Sequence, residues 1–147
     1  MILCRIYAVA SIGLLADMGK IYKYEVRIPY ADVDKMGFVY HANYLVYFEM
    51  GRNALLREEG LPYTEMEASG VMLPVVEAHC AYRLPGRFDD LLTICSECLP
   101  FEGVRLRIQY EVYRGETLLM TGYTHHVCMG PDGKVMRPTE ALRALCG

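Results

Sequence analysis

Between residues 43 and 59 the chain carries Leu45, Val46, Phe48, Met50, Ala54, Leu55 and Leu56, apolar positions that wrap most of a cylinder instead of one narrow stripe. A helix with that pattern needs cover on most of its circumference, so the rest of the chain must wrap around it. Its ends are marked: Asn43 has the chemistry of an N-cap, Gly60 that of a C′ residue, and Pro62 cannot continue the helix. The cover is β-like. In 21–30, aromatic and β-branched residues interleave with Lys23, Glu25 and Arg27, the period of a strand with one buried face. A short helical turn over 63–69 is followed by strand-like runs at 71–83, 90–99, 103–114 and 117–129. Pro85-Gly86, Phe101-Glu102-Gly103, Arg114-Gly115 and Pro131-Asp132-Gly133 separate these runs and end the last. Runs of this length on short connections predict an antiparallel meander, with a short C-terminal helix over 138–145. The expected class is α+β: a five-stranded antiparallel sheet wrapped around a long central helix.

A chain of 147 residues, 53% hydrophobic and 22% charged, is long enough for one domain with its own core. A net charge of −3 without a basic stripe argues against nucleic acid as a partner. Six cysteines (Cys4, Cys80, Cys95, Cys98, Cys128, Cys146) are too sparse for a small secreted scaffold, which favours reduced thiols and a cytoplasmic location. Cys95 and Cys98 have CxxC spacing, but residues three apart on a strand face opposite sides, so no metal is expected there. Residues 1–17 form an apolar run too short to span a membrane. Their single Arg and small residues are superficially similar to a signal peptide, but the preferred reading is an N-terminal extension, extra or from a misassigned start, before a domain of residues 18–147 that opens at Met18.

The chemistry concentrates between the first strand and the helix, in Tyr30-Ala31-Asp32-Val33-Asp34-Lys35-Met36-Gly37-Phe38-Val39-Tyr40-His41-Ala42-Asn43-Tyr44. The pattern D-x-D-x-x-G-x-V-Y-H-x-N-Y, followed by Phe48, Glu49 and Arg52, resembles the 4-hydroxybenzoyl-CoA thioesterase family of hot-dog proteins. Its nearest likeness is the acyl-CoA thioesterase branch associated with the Tol-Pal envelope system. The segment Arg83-Leu84-Pro85-Gly86-Arg87-Phe88-Asp89-Asp90 is similar to the family's turn before the third strand.

The resemblance implies a hot-dog fold and an enzyme that hydrolyses acyl-CoA to free acid and CoA without a cofactor. It puts the chemistry on Asp34, as nucleophile or as general base toward water, and the oxyanion site at the N–H of His41, where the helix begins. Asp32 is read as a loop-structuring acid, and His41's side chain as an assistant of open role. Tyr40, Asn43, Arg87, Arg105 and Arg137 are candidates for contacts to substrate and CoA phosphates. Glu49 and Arg52, three apart on the helix, are expected as a structural ion pair. The resemblance also implies a homodimer or homotetramer. Two rivals stand beside the hydrolase: a non-catalytic module binding acyl-CoA or acyl-carrier protein, and a hot-dog dehydratase.

Overall fold

A computed structural model describes residues 19–147; the expected extension over 1–17 and the start at Met18 lie outside the described residues. Strand β1 (Ile21–Arg27) leads through a single 3-10 turn (Tyr30–Asp32) and a tight loop to helix α1 (Asn43–Glu58). Helix α2 (Tyr63–Ala68), strands β2 (Val75–Tyr82), β3 (Leu91–Cys98), β4 (Arg105–Arg114), β5 (Thr117–Met129) and β6 (Val135–Met136), and helix α3 (Glu140–Leu145) follow. All strand pairs are antiparallel, in the order β1-β3-β4-β5-β2, and the two-residue β6 adds to the end of β5.

The expected meander holds for β3, β4 and β5 only. Strand β2 lies at the far edge beside β5, so residues 83–90 must carry the chain back across the sheet to β3. That crossing spans three strand spacings, about 14 Å, well within the reach of eight residues. The Pro-Gly pair expected to make a turn therefore sits in a crossover, and Gly86 anchors it: its N–H donates to the Tyr44 hydroxyl at 3.2 Å and its carbonyl accepts from Val39 N at 2.8 Å.

Helix α1 lies against one face of the sheet and buries Tyr44, Tyr47, Phe48, Gly51, Arg52, Leu55 and Leu56, a stripe at three- and four-residue spacing. It approaches closely. The Phe48 ring stacks on Tyr110 of β4 with centroids 4.1 Å apart, and a Cβ on Gly122 would come within 2.7 Å of that ring and 2.4 Å of the His79 carbonyl. A Cβ on Gly51 would meet Ile94 and Ser96 of β3 at 2.9 and 2.8 Å. The helix stops where expected: Gly60 has φ +73°, and Gly60 N and Leu61 N donate to the carbonyls of Arg57 and Leu56 in a Schellman arrangement. Its start differs. Asn43 is the first helical residue and caps nothing; its Nδ2 donates instead to the Asp32 carbonyl at 3.0 Å. The cover on α1 is also less complete than its pattern implied, since Leu45, Val46 and Met50 are exposed in the single chain.

Two further expectations fail for reasons of tertiary placement. Arg52 is buried and turned toward Tyr110, so it forms no ion pair with Glu49. Cys98 and Cys146, expected as free thiols, form a disulfide with Cα atoms 5.1 Å apart. A separation of 48 residues hides their meeting; the β5–β6 hairpin and the Thr139 cap on α3 bring the C-terminus to the end of β3. Cys80 and Cys128 are free.

Beneath α1 runs a buried polar chain. His126 Nδ1 faces the Leu73 carbonyl at 3.1 Å, which can only accept, so this nitrogen carries the proton and Nε2 accepts from Thr124 at 2.8 Å. Thr124 then accepts from Tyr110 at 3.0 Å. Burial, assisted by the Arg52 charge, holds the His126 pKa down at about 4 from 6.5. The folded state keeps this imidazole neutral while the unfolded chain protonates it below its ordinary pKa. Stability therefore falls as pH drops from about 6.5 to about 4, by on the order of 3 kcal/mol if this group acts alone. Denaturation midpoints measured across that window should show the slope, and His126→Gln should flatten it.

Candidate active site

Residues 34–38 form a loop that closes on its own acid. Asp34 N donates to the Phe38 carbonyl at 2.8 Å and Gly37 N to the Asp34 carbonyl at 2.9 Å, with Gly37 at φ +77°, a conformation that costs glycine least. The Asp34 carboxylate accepts from Met36 N at 2.8 Å and Phe38 N at 3.3 Å, both through Oδ1. Its Oδ2 has no hydrogen-bond partner among the described residues. A carboxylate gripped on one oxygen is oriented, and the other oxygen stays available for chemistry.

This loop, the residues before α1 and the end of β2 enclose a cleft of about 290 Å³. Asp34 and His41 line it, with Met36, Phe38, Val39 and Tyr44 on one side and Tyr82 to Pro85 on the other. The Tyr82 hydroxyl donates to the His41 carbonyl at 2.9 Å, fixing the peptide just ahead of α1. The backbone N–H groups of His41 and Ala42 donate to no described residue, as expected where a helix begins. A 16-residue helix adds partial positive charge at that end. The cleft thus combines an oriented carboxylate, an imidazole and unpaired N–H groups with a largely apolar wall.

Asp32 takes the structural role read from sequence. Its carboxylate accepts from the Tyr47 hydroxyl at 2.6 Å, and its carbonyl accepts from Tyr40 N and Asn43 Nδ2. Burial and this carboxylate together raise the Tyr47 pKa well above its ordinary value.

The other candidates separate. Tyr40 stands outside the cleft with its ring against His41, centroids 4.5 Å apart, and Asn43 is a tie between helix and loop. Arg87 lies over the Phe38 ring at 4.8 Å, beside the Asp34 loop. Arg105 and Arg137 do not join the site within one chain. Tyr82 at the cleft pairs with Met120, whereas Arg105 pairs with Val127 seven residues further along β5, about 24 Å away; Arg137 follows β6, which pairs at that same far end. Sequence reasoning missed Tyr82, Arg83 and Tyr44. Arg83 stood in the quoted crossover segment, but its place at the cleft depends on β2 lying at the sheet edge, which no local pattern reveals. Among the described residues, no group of three or more His, Cys, Asp or Glu gathers to hold a metal.

Tyr47→Phe removes one partly buried hydrogen bond to the Asp32 carboxylate and should cost about 1–3 kcal/mol, because the acid is left short of a partner. Chemical denaturation measures the cost, which should fall on stability while the Asp34 loop keeps its own hydrogen bonds.

Comparison with known proteins agrees with this architecture. Residues 28–145 match the model of the thioesterase-like superfamily. A putative acyl-CoA thioesterase of Bacillus subtilis, YneP, is 34% identical over 124 residues, covering 83% of this chain and 88% of the relative. The acyl-CoA thioester hydrolase YbgC of Escherichia coli O157:H7 is 31% identical over 76% of this chain and 84% of its own. Among solved structures, a hypothetical protein of Thermus thermophilus superposes with a TM-score of 0.81 at 33% identity, covering 85% of this chain and 96% of that one. A 1,4-dihydroxy-2-naphthoyl-CoA thioesterase of Synechocystis superposes with a TM-score of 0.79 at 25% identity, covering 86% and 96%. The chain belongs to the thioesterase-like superfamily of hot-dog proteins, the family that the segment from Tyr30 to Tyr44 resembles.

Proposed function

We propose that this chain is an acyl-CoA thioesterase whose chemistry runs in the cleft between the Asp34 loop and the start of α1. The observation that carries the reading is the Asp34 carboxylate, held by two loop N–H groups through Oδ1 with Oδ2 free in the cleft. From there Oδ2 either attacks the thioester carbonyl or takes a proton from water as the water attacks. Both routes end in a free acid and the CoA thiol with one water consumed, and neither calls for a cofactor. The N–H of His41, with that of Ala42 beside it, is suited to receive the negative charge that develops on the carbonyl oxygen, at the positive end of α1. The imidazole of His41 lines the same cleft and can orient the water or the thioester.

Arg83 in the cleft wall and Arg87 beside the loop are the cations best situated for CoA phosphates. Arg105 and Arg137 serve that role only toward a cleft of a neighbouring copy. An oligomer also suits the exposed apolar row of Leu45, Val46 and Met50 on α1 beside Val75 and Val76 of the edge strand β2, which a second copy would cover. The proposed location is the cytoplasm, and no helix among the described residues is long and apolar enough to cross a membrane; the Cys98–Cys146 bond weighs against it, because disulfides persist in oxidising compartments.

Release of free CoA from a panel of aliphatic and aromatic acyl-CoAs, followed with a thiol reagent, tests the activity. Wild type should turn over at least one acyl class, and Asp34→Ala should lower kcat/KM by about 10²–10⁴-fold while the fold is kept. Wild type that releases no CoA from any of them would favour a binding module, and water loss from 3-hydroxyacyl thioesters would favour a dehydratase. For the assembly, sedimentation should give a dimer or tetramer that Val46→Glu weakens; a wild-type monomer at micromolar concentration would remove it.

A further inference from the structure

The outer face of the sheet carries a second polar cluster, on the side opposite α1. Strand register sets His79, Tyr123 and Gln109 side by side across β2, β5 and β4, with Glu77, His125 and Arg107 in the adjacent row. Side chains at these alternate positions share one face. His79, Arg107, Gln109 and Tyr123 line a cavity of about 220 Å³ floored by Gly122.

Within this grid the charges are unequally paired. The Arg107 guanidinium lies over the Tyr123 ring, 4.0 Å from its centroid, and meets no carboxylate among the described residues. Its Nε is buried without a hydrogen-bond partner, and so is His125 Nδ1. Glu77, the acid in the same row, is engaged elsewhere: it accepts from the Tyr123 hydroxyl at 2.8 Å, and its other oxygen stands 3.5 Å from His125, an ion-pair separation too loose for a hydrogen bond. Glu97, next to Gln109 in the row, is turned to the Gly19 N–H, and Glu111 accepts from Tyr113 at 2.7 Å. The imidazole of His79 stacks on Tyr123 with centroids 5.2 Å apart, which holds it at the cavity wall. Arg105 adds a second positive charge two residues earlier on the same face.

A buried donor without a partner is destabilising, and a guanidinium fork without an anion forgoes its strongest kind of hydrogen bond. Imidazole and amide donors surround that fork on two rows, an arrangement matched to a tetrahedral oxyanion. We propose that this cavity binds a phosphate group of a small molecule, at a site separate from the Asp34 cleft. Inorganic phosphate and the phosphates of a nucleotide share the chemistry that it recognises.

The test is an NMR titration of the full chain with inorganic phosphate, adenosine 3′,5′-bisphosphate and acetate, following the imidazole signals of its four histidines. His79→Gln and His125→Gln identify the two relevant signals. Phosphate should move both saturably at millimolar concentration, and Arg107→Gln should weaken binding about tenfold, the loss of one charge-assisted contact. Arg107→Lys, which keeps the charge and loses the fork, should fall between them. Unchanged hydrolysis by the Arg107 variants shows that they are folded; if either is not, Gln109→Ala serves in its place. Tighter binding of the bisphosphate identifies a nucleotide ligand, and equal binding a simple phosphate. Signals of His79 and His125 that stay still, move equally in Arg107→Gln, or respond to acetate as strongly as to phosphate would overturn the site.

Discussion

Helix α1 lies against the sheet at a distance that only glycine permits in two places. Gly51 brings its backbone down onto Ile94 and Ser96, and Gly122 lets the Phe48 ring lie close against the β5 backbone as it stacks on Tyr110. Interiors are packed densely enough that a single methyl in such a contact moves backbone. The depth of the helix fixes where its first turn begins, and with it the N–H groups of His41 and Ala42. The Asp34 loop inherits that position through Tyr47, which reaches from the buried face of α1 to Asp32. Gly86 ties the crossover to Tyr44 and Val39 from the other side. The geometry of the cleft in this chain is thus a consequence of helix-to-sheet packing, transmitted by three short ties.

The two acids of D-x-D illustrate how environment divides labour between identical side chains. Asp32 meets a buried phenol and gives up its carbonyl to two donors; Asp34, two residues on, is gripped by its own loop and keeps one oxygen for the cleft. Neither role is a property of aspartate. Each follows from which side of the loop faces α1.

Much of this was legible in the chain because it is local. The helix stop at Gly60, the alternation of β1 and the span of β5 all follow from neighbours within a few residues. What was hidden depends on partners distant in sequence. Residues 83–90 read as a turn because Pro and Gly look alike in turns and crossovers. Arg52 read as a partner for Glu49 because nothing local shows that Tyr110 lies beneath it. Asn43 has the chemistry of a cap, but Asp32 lies near enough to claim its amide. Arg105 and Arg137 were grouped with the site on charge alone, and strand register separates them from it.

The bond between Cys98 and Cys146 makes the final third of the molecule a covalent ring that holds β4, β5, β6 and α3. Closing a loop of that size removes about 4 kcal/mol of freedom from the unfolded chain in the loop-entropy picture. It also changes what a broken backbone means. A protease cut at the exposed turn around Pro131-Asp132-Gly133 would open the ring without releasing α3, so Leu142 would keep its place in the core. Only reduction of the bond as well would free the C-terminal piece.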